Sequence, residues 1–266
     1  MKPDTLEILC NPVTQEPLQL ISEPGPDGRL NQVLVSIKSG ERFSIREGIP
    51  IFLHRADVSG SNKTWQRFYD ATSSYYNFVT RTYFRLKSGG DAKARWEYLK
   101  ELEIESSSKV LEVSVGTGAN LRFLPHTASY FGLDISFGML KQCLKSVRSF
   151  GLDVELFQGA AERLPFVDEA FHVVFHVGGI NFFTDKARAM NEMIRVAKPG
   201  TKIIVVDETE KLFRKYERVP IIGKYYRNWA DAFVDPADLV PADMLDVKVE
   251  NIIRGELYCL SFRKPR

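Results

Sequence analysis

Cysteine is scarce. Cys10, Cys143 and Cys259 are the only three, far apart and with no CxxC pair. That excludes a disulfide framework and a complete cysteine zinc site. Long apolar runs are missing as well, since no stretch approaches the ~18 residues of a membrane span. The first residues, MKPDTLEILC, hold two acids and no long apolar core, so they do not read as a secretory signal. A cytoplasmic protein is the expectation. An excess of one charge is absent too. Lys and Arg number 36 against 34 Asp and Glu, a net +2 that gives no case for nucleic-acid binding by overall charge.

What is present is an ordinary globular composition. The 266 residues are 44% hydrophobic and 26% charged, enough for one large α/β domain and a small appendage. The strongest local signal is Lys109 to Asn120, KVLEVSVGTGAN. Val110, Leu111, Val113 and Val115 form the β-branched, apolar run of a strand covered on both faces. Gly116 and Gly118 then let the backbone turn tightly and a ligand approach. Asn120, Leu121, Phe123 and Leu124 are expected to open a helix, whose N-terminus attracts anionic groups.

A second strand, Tyr130 to Ser136, carries Asp134 near its end, sixteen positions past Gly118 (134 − 118). An acid there can accept from both hydroxyls of a ribose. The alternative is a helix cap for Phe137 to Phe150 by Asp134 or Ser136. Further strands follow at Val154–Phe157, Ala170–Val177 and Thr201–Asp207, with a helix over Thr184–Val196 that stops at Lys198-Pro199-Gly200. Strand and helix alternate, which predicts a doubly wound parallel sheet. The tail, Leu245–Ile253 and Glu256–Phe262, reads as an antiparallel hairpin.

Residues 1–55 read as a separate β-rich unit, with turns at Pro24–Gly28 and Ser39-Gly40 between alternating strands. ILCNPVTQEPLQL and LVSIKSGERFSIREGIPIFL resemble the zinc-ribbon-like domain that precedes some methyltransferases and activates others. Cys10 matches its first metal ligand. Thr14 or its neighbour, Ser36 and Ser39 stand where the others belong, so a metal-free version is expected. Its role is open between a substrate- or partner-recognition module and a structural cap.

Residues 56–62 read as a linker. Lys63 to Leu86 is crowded with aromatics at helical spacing, including Trp65, Phe68, Tyr69, Tyr75, Tyr76 and Phe78. Most are expected to pack as helices on the main domain, with Tyr69, Tyr75 and Tyr76 the candidates to line a substrate pocket. A helix over Ala92–Leu102 is expected to bury Trp96, Leu99 and Leu102.

VLEVSVGTGAN, FGLDIS, GAAERLPF, AFHVVF and RVAKPG followed by KIIVVDE, in this order, resemble class I S-adenosylmethionine-dependent methyltransferases across about residues 63–262. The subgroup resembled is the small-molecule enzymes related to quinone-biosynthesis C-methyltransferases. The hairpin and the absence of GxGxxG count against an NAD-binding domain. The resemblance implies a mostly parallel seven-stranded sheet in a domain spanning 63–266, and S-adenosylmethionine as cofactor. It implies that Glu112 holds the cofactor's amino group, and that Gly116, Thr117 and Gly118 let the backbone approach its methionine part. Asp134 would take the ribose, Ile135, Met139, Ala160 and Ala161 the adenine, and Val177 the methionine end.

Four positions depart from the family pattern. Ser114 replaces the first glycine. Ala160 replaces an acid that would bond the adenine amino group, a contact worth about 1.5–3 kcal/mol. His172 replaces an Asp, and Thr201 a Gly.

Methyl transfer needs mainly positioning, with a base when the nucleophile must lose a proton. His176, at the end of the fourth strand, is the candidate base; the alternative is a histidine bonded within the strand end. The basic, aromatic stretch Lys211–Trp229 is expected to be a lid over the site. A small aromatic or lipid-like molecule is the expected substrate. An RNA methyltransferase and a non-catalytic binding protein of the same fold are the alternatives.

Overall fold

A computed structural model of the chain describes residues 2–24, 30–54, 57–73, 90–218, 223 and 234–266. The main element is a seven-stranded sheet. In chain order its strands are β5 (Lys109–Val113), β6 (Ser129–Asp134), β7 (Val154–Gln158), β8 (Val173–Val177), β9 (Lys202–Glu208), β10 (Leu245–Ile252) and β11 (Leu257–Arg263). Across the sheet they run β10-β11-β9-β8-β5-β6-β7. The five strands from β7 to β9 are parallel, and the β10–β11 hairpin adds antiparallel to β9. The order reverses between β5 and β8, the place where an open α/β sheet forms a crevice at its carboxyl edge.

The parallel strands are apolar on both faces. Val110, Leu111 and Val113 of β5 are fully buried, as are Ile203 to Val206 of β9. Such runs need cover on both sides, supplied in part by helices α3 (Asp91–Leu99), α4 (Phe137–Phe150) and α5 (Lys186–Val196). Ser136 caps α4, its hydroxyl accepting from the Met139 N–H at 3.1 Å. Asp185 caps α5 by accepting from the Arg188 N–H at 2.9 Å. That cap starts the helix at Lys186 and leaves Thr184 outside it.

A second sheet of four antiparallel strands, β1 (Leu18–Pro24), β2 (Leu30–Ser36), β3 (Arg42–Arg46) and β4 (Ile49–Pro50), follows the short helix α1 (Pro3–Leu6). It packs into the main core. Phe43, Phe52, Phe157, Phe166 and Phe171 form a chain of ring contacts with centroids 4.9–6.4 Å apart. The Phe52 N–H donates to the Gln158 carbonyl at 2.7 Å, beside the edge of β7. Around Cys10, hydrogen bonds tie the turns. Asn11 Nδ2 donates to Ser36 Oγ (2.8 Å) and Glu41 Oε2 (2.7 Å), and the Cys10 thiol donates to Gln15 Oε1 (3.2 Å). Burial pushes the Cys10 thiol up to about 12. Among the described residues no group of three or more His, Cys, Asp or Glu is placed to hold a metal ion, and no helix is long and apolar enough to cross a membrane.

Two expectations about the elements are corrected. After the glycine turn only one turn of 3-10 helix forms, Leu121–Phe123. Leu121 and Leu124 are claimed by the hydrophobic core and Asn120 by a hydrogen-bond network, so no longer helix starts there. In α3 the buried residues are Ala94, Arg95, Tyr98 and Leu99, while Trp96 is 60% exposed. The Arg95 guanidinium turns inward to bond Asp91, Tyr98 and Asn120.

Candidate active site

The carboxyl ends of β5, β6, β8 and β9 open into one cavity of about 540 Å³. Its floor is the turn 114–117. Gly116 adopts φ +54°, and a side chain built there would meet nothing nearer than 4.0 Å, so the backbone presents a bare surface to the cavity. Ser114 is also left-handed, φ +61°, a conformation that costs a non-glycine residue about 1–2 kcal/mol. Gly118 does not line the cavity. A Cβ there would strike Cys143 Sγ at 2.7 Å, so this glycine lets α4 pack against the turn.

Glu112 stands at the closed end, 1% exposed. Its Oε1 accepts from Asn120 Nδ2 at 2.6 Å. Asn120 Oδ1 accepts in turn from Arg95 Nη1 (2.5 Å) and the Tyr98 hydroxyl (2.8 Å), and Arg95 Nε donates to Asp91 (2.7 Å). This buried relay fixes Glu112 and leaves its Oε2 without a hydrogen-bond partner. Burial pushes the Glu112 carboxyl up to about 8, against the pull of Asn120 and Arg95. No cation bonds the Glu112 carboxyl directly among the described residues, and one at Oε2 would stabilise its charged form.

Asp134 ends β6. Its Oδ2 accepts from the Gly116 N–H at 2.9 Å and its Oδ1 from the Ser136 N–H at 2.8 Å. Burial raises it to about 6 despite those bonds. The carboxylate is thereby held against the glycine turn, with Ile135 and Met139 beside it on the cavity wall.

The opposite wall is aromatic and comes mostly from outside the strands. Residues 60–73 form helix α2, which contributes Trp65, Phe68 and Tyr69. Trp65 stacks on Phe182 at 3.8 Å, and Phe182 contacts Phe213 at 5.8 Å. Helix α2 is tied across the carboxyl edge of the sheet. Gln66 Nε2 donates to the Ile135 carbonyl (3.2 Å), and the Asp70 carboxylate accepts from the Gly138 N–H (2.9 Å) at the start of α4. Helix α6 (Glu210–Glu217) covers the same end, with Leu212 and Tyr216, four residues apart, on the wall.

Of the residues expected at the site, Glu112, Gly116, Thr117, Asp134, Ile135, Met139, Val177 and Tyr69 line this cavity. Gly118, Ala160 and Ala161 do not; the two alanines are buried in the fold, 3% and 5% exposed. Tyr75 and Tyr76 lie outside the described residues. His176 is corrected as a candidate base. Successive strand residues point to opposite faces; Val177 takes the cavity side, while the fully buried His176 ring donates from Nδ1 to the Val113 carbonyl at 2.9 Å. Its burial lowers its pKa, and Phe183 packs edge-on at 5.2 Å. Sequence reasoning missed Arg95, Asn120, Asp207 and Glu208. The last two carried the same signal as Asp134, acids closing a parallel strand.

The strand order and the antiparallel hairpin define the class I methyltransferase fold. A family model described as "Methyltransferase domain" matches residues 111–205. The demethylmenaquinone methyltransferase of Chlorobaculum parvum is 29% identical over 176 residues, covering 62% of this chain and 66% of that protein. The phthiotriol/phenolphthiotriol dimycocerosates methyltransferase 1 of Mycobacterium ulcerans is 38% identical over 105 residues, 38% of each chain. The alignments thus span less than two thirds of either relative's length. A Thermotoga maritima structure, described as an S-adenosylmethionine-dependent methyltransferase, aligns with TM-score 0.54 and 24% identity over 73% of this chain and 97% of its own. At that identity the likeness speaks for the fold. Fold, motif order and domain match agree that the chain carries a class I S-adenosylmethionine-dependent methyltransferase domain.

The residues present fit that cofactor. The unpartnered Glu112 Oε2 suits its ammonium group, the bare Gly116 backbone its methionine chain, and Asp134 its ribose.

Proposed function

We propose that the chain transfers a methyl group from S-adenosylmethionine to a small aromatic or lipid-like acceptor. The observation that carries the reading is the two-ended cavity, with buried acids and a bare backbone at one end and stacked rings at the other. When bound, the cofactor supplies an electrophilic methyl group on a sulfonium. The chain's own residues do the rest. Glu112 and Asp134 orient the cofactor, and Trp65, Phe68 and Phe182 exclude water and present a flat apolar surface to the acceptor. The names of the two curated relatives, which denote a quinone and a lipid substrate, support an apolar acceptor.

Helix α6 serves as a lid, with Leu212 and Tyr216 facing in. Its basic residues are engaged locally. Arg214 pairs with Glu210, Lys215 with Glu256, and Lys211 donates to the Arg254 carbonyl. That pairing favours a lid over an anion-binding patch; Lys224 and Arg227 of the basic stretch lie outside the described residues. The N-terminal sheet acts as a structural cap, because its core is continuous with the main one.

Calorimetric titration with S-adenosylmethionine and S-adenosylhomocysteine tests the reading. Binding is expected, and Asp134→Ala should weaken it at least about thirtyfold, the loss of a charge-assisted hydrogen bond to each of two ribose hydroxyls. No binding at millimolar cofactor would refute the enzyme reading and leave a binding protein that keeps the fold.

A further inference from the structure

The carboxyl end of β9 brings two acids to the cavity wall, Asp207 and Glu208. Asp207 is 1% exposed and fully engaged. Its Oδ1 accepts from the N–H groups of Gly179 (3.1 Å) and Glu208 (2.9 Å), and its Oδ2 from the N–H of Asn181 (2.9 Å). Three backbone donors fix its position. Glu208 differs. Its carboxyl meets that of Asp207, yet its Oε2 is buried and has no hydrogen-bond partner among the described residues. Glu208 shares the cavity lining with Val177 and Val206 of the strand ends and with Leu212 and Tyr216 of helix α6. A buried, unsatisfied carboxyl oxygen is costly and persists where a ligand completes it.

We propose that Glu208 is the proton acceptor for methyl transfer to a hydroxyl group carried on an aromatic ring, with Asp207 as the residue that positions it. The inference rests on the methyltransferase reading above. The acceptor's O–H bond breaks and its proton passes to Glu208 Oε2. An electron pair of the acceptor oxygen forms the new bond to the methyl carbon. The methyl–sulfur bond breaks and its pair stays on sulfur. A cationic sulfonium and a neutral alcohol thus become a neutral thioether and a neutral methyl ether, with one proton gained by the carboxylate. Burial and the neighbouring Asp207 charge raise the Glu208 carboxyl well above the ordinary range, so its anion is a strong base, and a cation bound in the same cavity favours that anion. His176 is not part of the cavity lining, and its ring is held by the Val113 carbonyl. The aromatic wall supplies the ring-binding surface next to the base.

The test uses 1-naphthol, a flat apolar ring with one acidic hydroxyl, on the full chain. Its binding to the S-adenosylhomocysteine-loaded protein and its cofactor-dependent conversion to 1-methoxynaphthalene are measured for the wild type, Glu208→Gln and Glu208→Asp. The expected result is that the wild type binds and methylates the probe. Glu208→Gln should bind S-adenosylhomocysteine within threefold of wild type but lose at least about a hundredfold in kcat, the usual share of a general base. Glu208→Asp should recover part of that loss. Turnover of Glu208→Gln within threefold of wild type would overturn the proposal. So would a cofactor-loaded protein that binds 1-naphthol without methylating it, or does not bind it at all. Failure to bind S-adenosylhomocysteine would instead count against the methyltransferase reading itself.

Discussion

The two ends of the cavity are built in opposite ways. The cofactor end is made by strand termini and a glycine turn, and its acids are held by hydrogen bonds, from the backbone at Asp134 and from side chains at Glu112. Asp134 accepts from two N–H groups, and Glu112 is fixed through Asn120 and Arg95. The acceptor end is made by side chains of helices α2 and α6 and the segment after β8, which meet through ring contacts. Backbone-held groups are fixed by the fold itself. Ring contacts depend on helices docking against one another, so this end can change with little cost to the other. On the function proposed above, the difference assigns cofactor recognition to the sheet and acceptor recognition to what is laid over it.

Phe182→Ala is the largest predicted break in that comparison. Phe182 is 4% exposed and stacked on Trp65, so its loss should cost about 3–5 kcal/mol of stability in denaturant unfolding. Affinity for S-adenosylhomocysteine should stay within threefold. A larger loss of cofactor binding would mean that the two ends are not separable.

Glu112→Gln follows. Between its ordinary value of 4.5 and about 8, the folded protein holds a proton that the unfolded chain has lost. The ligand-free protein should therefore lose stability as pH rises through that window. At pH 8 the amide, which carries no buried charge, should be more stable than wild type by roughly 1–3 kcal/mol. Equal melting curves for the two proteins from pH 5 to pH 8 would contradict the burial argument.

Ser114→Gly is the smallest. Relief of the left-handed φ is partly offset by roughly 0.4–1 kcal/mol of extra unfolded-state freedom, leaving a net gain of about 0.5–1 kcal/mol. A loss of stability would mean that the serine hydroxyl contributes more than its backbone costs.

The same contrast explains how much was legible in the sequence. Asp134 could be read because an acid closing an apolar β run lies at the carboxyl edge of a parallel sheet whatever else the chain does, whereas Glu112, inside its run, came only from the resemblance to the methyltransferase family. The sheet itself, through to the hairpin, was legible from alternation and from its turn residues. Asp207 and Glu208 carried the same signal, but KIIVVDE was read only as a strand. His176 was misplaced because strand parity was not applied beyond Val177. Trp96 shares a helix face with Leu99 yet stays exposed, whereas Arg95 is buried through three polar partners three to twenty-five residues away in sequence, of which Asn120 cannot be read from the helix. Tyr69 is the one of three tyrosines named for the pocket that falls among the described residues; what brings it to the wall is the docking of α2 by Gln66 and Asp70, a tertiary fact with no local signature.

The central claim is that the lone oxygen of Glu112 receives the cofactor's ammonium group. If so, Glu112, protonated in the ligand-free protein, must ionise on binding. Calorimetric titration with S-adenosylhomocysteine at pH 7, repeated in two buffers of different ionisation enthalpy, counts the protons released. The account predicts close to one proton for the wild type and none for Glu112→Gln. Binding by the wild type with no change in protonation would contradict it.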